Sequence, residues 1–188
     1  MKLIIVVMYL ISLLLPNNGS SLYPNRPNTD INDLCDVIID AINTQNATAL
    51  EELFSKEVRE NVGTLHEDAK TLFHFIKGNI LSVSDPNEHG VDASLESNNG
   101  KIKRELQPTL CIETTDATYF IAFKVCVRDG FNPNNVGVTS LRIVDATEWP
   151  IMFVYRGGGQ WPLGISIDDG ASTEAFFYRE GYWDPYSN

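Results

Sequence analysis

The stretch "HFIKGNILSV", residues 74–83, passes from a helix-like apolar pattern to a strand-like one with no linker between them. Lys77 puts a cation where a helix end is negative. Gly78 offers the left-handed conformation that closes helices. Ile80 and Val83 then begin a strand. A helix that hands over directly to a strand must lie against the sheet it enters. This joint separates a helical first half from an extended second half, and helices followed by antiparallel strands mean an α+β layer fold.

Before the joint, Thr29 or Asp30 can cap a first helix, on which Ile31, Leu34, Ile38, Ala41 and Ile42 share one face. "NTQN" ends it. "TALE", 48–51, and "TLHE", 64–67, both have the form of a capping box, in which a threonine hydroxyl accepts a free backbone N–H and the glutamate reaches back. They predict a short second helix burying Leu50, Leu53 and Phe54. A third helix buries Ala69, Leu72, Phe73 and Ile76.

After the joint, "SDPNEHG", 84–90, is a loop, and Asn99-Gly100 is a hairpin signal. Three strands are predicted, at 101–113, 117–128 and 136–145. A tight turn at "TTDA" sets Ile112 opposite Tyr119 and Leu110 opposite Ile121. That register gives one apolar face, with Leu106, Leu110 and Ile112 against Tyr119, Ile121, Phe123, Val125 and Val127. Leu141 and Ile143 extend it. The other face is mixed, carrying Cys111, Lys124, Cys126 and Arg128, and is at least partly wet. Cys111 then faces Phe120, which leaves Cys126 about 20 Å away along the sheet at ~3.3 Å per residue. A disulfide needs Cα atoms within about 7 Å. No disulfide is expected, and Cys35 lies beside a buried helix stripe.

The first residues, "MKLIIVVMYLISLLLPNNGSS", join Lys2 to an apolar run over 3–15, a break at Pro16 and small residues. They read as a signal peptide cleaved after Ser21, the run falling short of the ~20 residues a membrane helix needs. The expected location is secreted or on the exterior of the cell envelope. No cysteine follows the run, so lipid anchoring has no attachment point, and no transmembrane helix is expected after cleavage. Residues 22–29 form a flexible leader, 30–168 the α+β domain and 169–188 an aromatic-rich extension. The formal net charge of −11, from 25 acids and 14 bases, argues against nucleic acid, whose phosphates demand a basic face.

The segments "LEELFSKEV", "LFHFIKGNILSVSD", "SNNGKIKRELQPTLCIETTDATYFIAFKV" and "NPNNVGVTSLRIV", in this order and spacing, resemble a family of uncharacterised secreted proteins, mostly lipoproteins of gut bacteria, built on a domain of unknown function. The resemblance covers about residues 30–168. It implies a nuclear-transport-factor-two-like, or cystatin-like, fold, with helices cupped in a strongly bent antiparallel sheet. The chain departs from the family in lacking a lipobox cysteine. The resemblance supplies no catalytic residues.

No motif carries a definite chemistry. His66 and His74 stand about 12 Å apart on a helix at 1.5 Å per residue, too far to share a metal. "RDGFNPNN" and "SIDDGAS" lack calcium-loop spacing, and "RGGGQ" lacks phosphate-loop spacing. No metal and no cofactor is expected. Folds of this kind can hold a pocket between helices and sheet, here marked by Phe73, Tyr119, Phe123 and Leu141, although an apolar row is more often packed core. Trp161, Tyr178, Tyr182 and Trp183 form the candidate interaction surface, since exposed aromatics bind partners or sugars. The expected function is a non-catalytic binding module for a small molecule, glycan or protein. One alternative is an isomerase- or lyase-type enzyme using Tyr119 with a carboxylate of raised pKa. Another is an immunity or inhibitor protein whose acidity steers a basic partner.

Overall fold

A computed structural model describes residues 31–86, 91–146, 153–155, 161–168 and 177–179. Four helices come first: α1 (Ile31–Asn43), α2 (Ala47–Glu52), α3 (Lys56–Asn61) and α4 (Leu65–Phe75). The strands follow as β1 (Ile80–Val83), β2 (Asp92–Asn98), β3 (Lys101–Gln107), β4 (Thr109–Thr114), β5 (Thr118–Asp129) and β6 (Gly137–Asp145). After these come β7 (Phe153–Tyr155), β8 (Gly164–Asp168) and β9 (Phe177–Arg179). The fold class is α+β, as the sequence predicts.

Among the described residues, seven strands form one open, mixed sheet. The long β5 is its spine. On one side β4 pairs with the first half of β5 and β3 with the second half. The predicted strand 101–113 is thus one bent strand broken at Pro108, which has no N–H for the ladder. Beyond it lie β1, paired with β4, and β2, paired with β3. On the other side β6 pairs antiparallel with β5, and β8 adds in parallel to β6, so the sheet is not wholly antiparallel. Register shifts between Arg104 and Glu105 and between Lys124 and Val125 lie close together on β3 and β5. Such bulges increase local twist and bend the sheet around the helices. Helices against a bent, unclosed sheet are consistent with a nuclear-transport-factor-two-like cup.

The predicted register holds: Ile112 pairs with Tyr119, Leu110 with Ile121 and Cys111 with Phe120. The Asn99-Gly100 hairpin holds too, with positive φ at both residues, 49° and 76°, as a two-residue primed turn requires. Leu34, Ile38 and Ala41 of α1, Leu50 of α2, and Ala69 and Leu72 of α4 join the sheet's apolar face in one core. All three cysteines are buried and unbridged.

Helix ends depart from the capping boxes. Asn46, a stronger N-cap than a threonine further in, starts α2 two residues early, its Oδ1 accepting from the Ala49 N–H at 3.0 Å. Thr64 precedes α4, but its hydroxyl donates to the Asp68 carboxylate at 2.8 Å instead of capping the backbone. Helix α3 is not among the elements the sequence predicts. Ser55, accepting from the Val58 N–H, starts it, and it buries only Val58, too short a stripe to show as a period. Gly78 has the expected positive φ, 80°, yet α4 already ends at Phe75 with Ile76 extended, so the glycine turns the chain into β1 and does not close the helix. Closure falls to side chains. The Lys77 ammonium donates to the His74 carbonyl at 2.5 Å, and the Tyr119 hydroxyl, from the sheet, donates to the Phe75 carbonyl at 3.3 Å.

The reverse face is drier at one end than its sequence implies. Cys111, Phe120, Ala122, Val144 and Ala146 form a second buried cluster there, with Trp161 packed against it. The other end is ionic. Glu105 bridges Lys103 and Lys124 at 3.1 Å each.

Candidate binding groove

Among the described residues, the interior of the cup is packed side chain against side chain. Phe73, Tyr119, Phe123 and Leu141, named from the sequence as pocket residues, are at most 6 % exposed and belong to the single main core. The Tyr119 hydroxyl accepts the Lys77 N–H at 2.9 Å as well as donating to Phe75, and the Phe75 ring meets the Tyr119 ring edge-on, 5.6 Å between centroids. Burial pushes the phenol above its ordinary pKa, and the carboxylates of Asp145 and Asp116 add to this. The group is engaged in holding a helix end.

The carboxyl groups with displaced pKa values among the described residues move downward. Burial raises Glu105, but hydrogen bonds and charge from Lys103 and Lys124 outweigh it and hold the carboxyl below its usual range. Burial likewise raises Asp129, and the N–H groups of Asn132 and Phe131 with the Asn135 amide more than offset it. Both are fixed ions, suited to structure and poor proton donors. Burial, with Asp129 and Glu105 nearby, pushes the Cys126 thiol up to about 11, so it is a weak nucleophile. No group of three metal-ligating side chains occurs among the described residues.

Among the described residues, open space lies beside α1. A groove of about 460 Å³ runs between α1 and the end of β1. Asn32, Cys35, Asp36 and Ile39 line one wall. Their spacing of three, four and seven puts them on one helical stripe, beside the stripe that enters the core. Val83, Ser84, Asp85 and Pro86 line the opposite wall, and Leu110 of β4 lies at the floor. Ser84 is locked in place by both its N–H, donated to the Cys111 carbonyl at 2.9 Å, and its hydroxyl, which accepts the Cys111 N–H at 2.8 Å. The lining is apolar at Cys35, Ile39, Val83, Pro86 and Leu110 and acidic at Asp36 and Asp85, with no cation among the described residues. Beside it, β1 is an edge strand. Among the described residues only β4 pairs with it, and its Leu81 and Val83 are exposed.

The aromatic surface read from the sequence is not assembled within the described residues. Trp161 is half-buried against the reverse face. Tyr178 falls in β9, paired with Val154 of β7. The side chain of Tyr178, and all of Tyr182 and Trp183, lie outside the described residues.

A family model, Domain of unknown function (DUF5104), matches residues 37–146, more than half of the chain. The chain belongs to that family. The DUF5104 match starts inside α1 and ends just past β6, so it takes in the bent strand pair, the joint at 74–83 and most of the core. Asn32, Cys35 and Asp36 of the groove precede the matched DUF5104 stretch. No curated protein matches the chain.

The groove is not legible in the sequence because its residues come from α1, the end of β1 with the residues after it, and β4, which lie far apart in the chain. One signal was present: Asn32, Cys35, Asp36 and Ile39 form a second stripe on α1, mixed in polarity and flanking the buried one.

Proposed function

We propose that the chain is an exported, non-catalytic binding module that takes a basic, extended, partly apolar peptide segment in the groove between α1 and β1. The observation that carries this reading is the groove itself, whose lining joins apolar residues to Asp36 and Asp85, while the described residues between helices and sheet are packed as core. Three further facts support it. The edge of β1 offers backbone groups on which an extended segment can add as a strand. That edge, though short and irregular between Ile80 and Ser82, carries neither proline nor charge, two of the usual protections against pairing. The net charge of −11 steers a cationic partner toward the protein. An isomerase or lyase reading has less to rest on, because the Tyr119 hydroxyl is occupied at the helix end and neither Glu105 nor Asp129 has a raised pKa.

The test is fluorescence anisotropy with a labelled hexapeptide of alternating lysine and leucine. Binding should be saturable and weaken as salt rises to about 0.5 M, where the Debye length is only a few ångström. Asp36→Asn combined with Asp85→Asn should weaken it by about 2- to 30-fold, the sum of two rim ion pairs at ~0.2–1 kcal/mol each. Binding that ignores both the salt and the double variant would reject the groove as the site.

A further inference from the structure

The β2–β3 hairpin carries a feature that the groove does not use. Arg104 of β3 is the direct cross-strand partner of Arg128 of β5, and Leu95 of β2 is the partner of Arg104 on the other side. Directly paired residues project to the same face, and like charges placed this way repel. In a chain with 25 acids and 14 bases, two facing arginines are the reverse of what composition favours.

The face they share is the core-facing one. β2 and β3 pair without interruption, so Arg104 lies on the same side as Leu106, which is buried in the core. The extra residue on β5 between Arg128 and Cys126 brings Arg128 to that side, although simple alternation along β5 assigns it to the reverse face. Both arginines are exposed, beyond the part of the face that the helices cover. Around them the face is apolar: Leu95 is 70 % exposed, Ile102 is half-buried, and Leu106 lies one row inward.

Among the described residues no carboxylate neutralises the pair. The acids of the hairpin, Asp92, Glu96 and Glu105, alternate onto the opposite face, and Glu105 is held by Lys103 and Lys124. On the neighbouring segments, Glu57 accepts from the Asn132 amide, and Asp129 accepts from the loop that follows it. Neither guanidinium has an ion-pair partner among the described residues. Two planar forks side by side match the oxygens of a carboxylate or phosphate.

We propose that Arg104 and Arg128 form a binding site for an amphiphilic anion, the acidic head held between the two guanidinium groups and the apolar body lying along Leu95 and Ile102. The site is separate from the groove, and its success or failure does not bear on that reading.

Titration of the full chain with hexanoate, hexyl phosphate and hexanol, followed by backbone amide NMR, tests it. At least one anion should saturate in the millimolar range, moving amides of β2, β3 and the end of β5. Whichever anion binds more tightly names the head group. Arg104→Gln and Arg128→Gln should each weaken that binding at least about tenfold, the loss of a charge-assisted pair. Without ligand, each variant should melt no lower than the unaltered protein, since the repulsion is removed. Absence of saturable binding by either anion, equal binding of hexanol, undiminished binding by both variants, or a lower melting temperature for both would each overturn the proposal.

Discussion

Tyr119→Phe separates a structural tyrosine from a chemical one. The substitution keeps the ring, which is 1 % exposed and packs edge-on against Phe75, and deletes only the hydroxyl. That hydroxyl makes two hydrogen bonds at the C-terminal end of α4, accepting from Lys77 N–H at 2.9 Å and donating to the Phe75 carbonyl at 3.3 Å. A typical net hydrogen bond is worth ~0.5–1.5 kcal/mol, and the longer of these is the weaker. Water can reach the helix end and recover part of the loss. The expected cost is about 1–2 kcal/mol in a urea unfolding curve, or about 3–8 °C in melting temperature for a domain of this size. The pH dependence supplies a second readout. The folded pKa is raised above the phenol's ordinary value of 10.0, so the tyrosine's stabilising contribution is intact below pH 10 and is lost as pH rises from there through the folded value. The Phe variant should lack that part of the alkaline decline. A variant as stable as the parent at pH 7, or one that keeps the whole alkaline limb, would refute the assignment of this hydroxyl to the helix end.

Three other perturbations test separate parts of the fold. Gly78→Ala places a Cβ 2.4 Å from Thr115 Oγ1 at a φ of +80°, and should cost about 1–3 kcal/mol by strain at a left-handed position plus displacement of the turn, measured by urea unfolding. Glu105→Gln leaves Lys103 and Lys124 without their shared partner and should cost about 1–2 kcal/mol at pH 7; because the Glu105 pKa is lowered, the cost should be full above about 4.5 and fade as pH falls through the native value. With its thiol pushed up to about 11, Cys126 has about one part in a thousand as thiolate at pH 8; alkylation mapped by mass spectrometry should leave it unmodified until the protein is unfolded, and rapid labelling of the folded chain would contradict its burial.

Much of this architecture could be read from local pattern because the responsible forces are local. The period of apolar residues in α1 and α4 follows from helix geometry, and the pairing of β4 with β5 follows from one short turn and the two-residue alternation that a buried face enforces. The same alternation kept Cys111 and Cys126 apart. Helix ends were less readable, because a cap is a competition among nearby side chains: Asn46 displaced Thr48, and the end of α4 was completed by a tyrosine 44 residues away from Phe75.

The candidate sites depended still more on distant contacts. Whether the cup is empty or filled turns on how Phe73, Tyr119, Phe123 and Leu141 meet, a matter of packing volumes in three dimensions that no spacing records. The groove exists because α1 and the end of β1, far apart in the chain, come to line one space that holds both Asp36 and Asp85. One residue of bulge in β5 reversed the face expected for Arg128 and set it against Arg104. Helical period and strand alternation are properties of neighbours along the chain, so the order of residues determines them; cavities, bulges and facing charges arise only when separate elements are brought together.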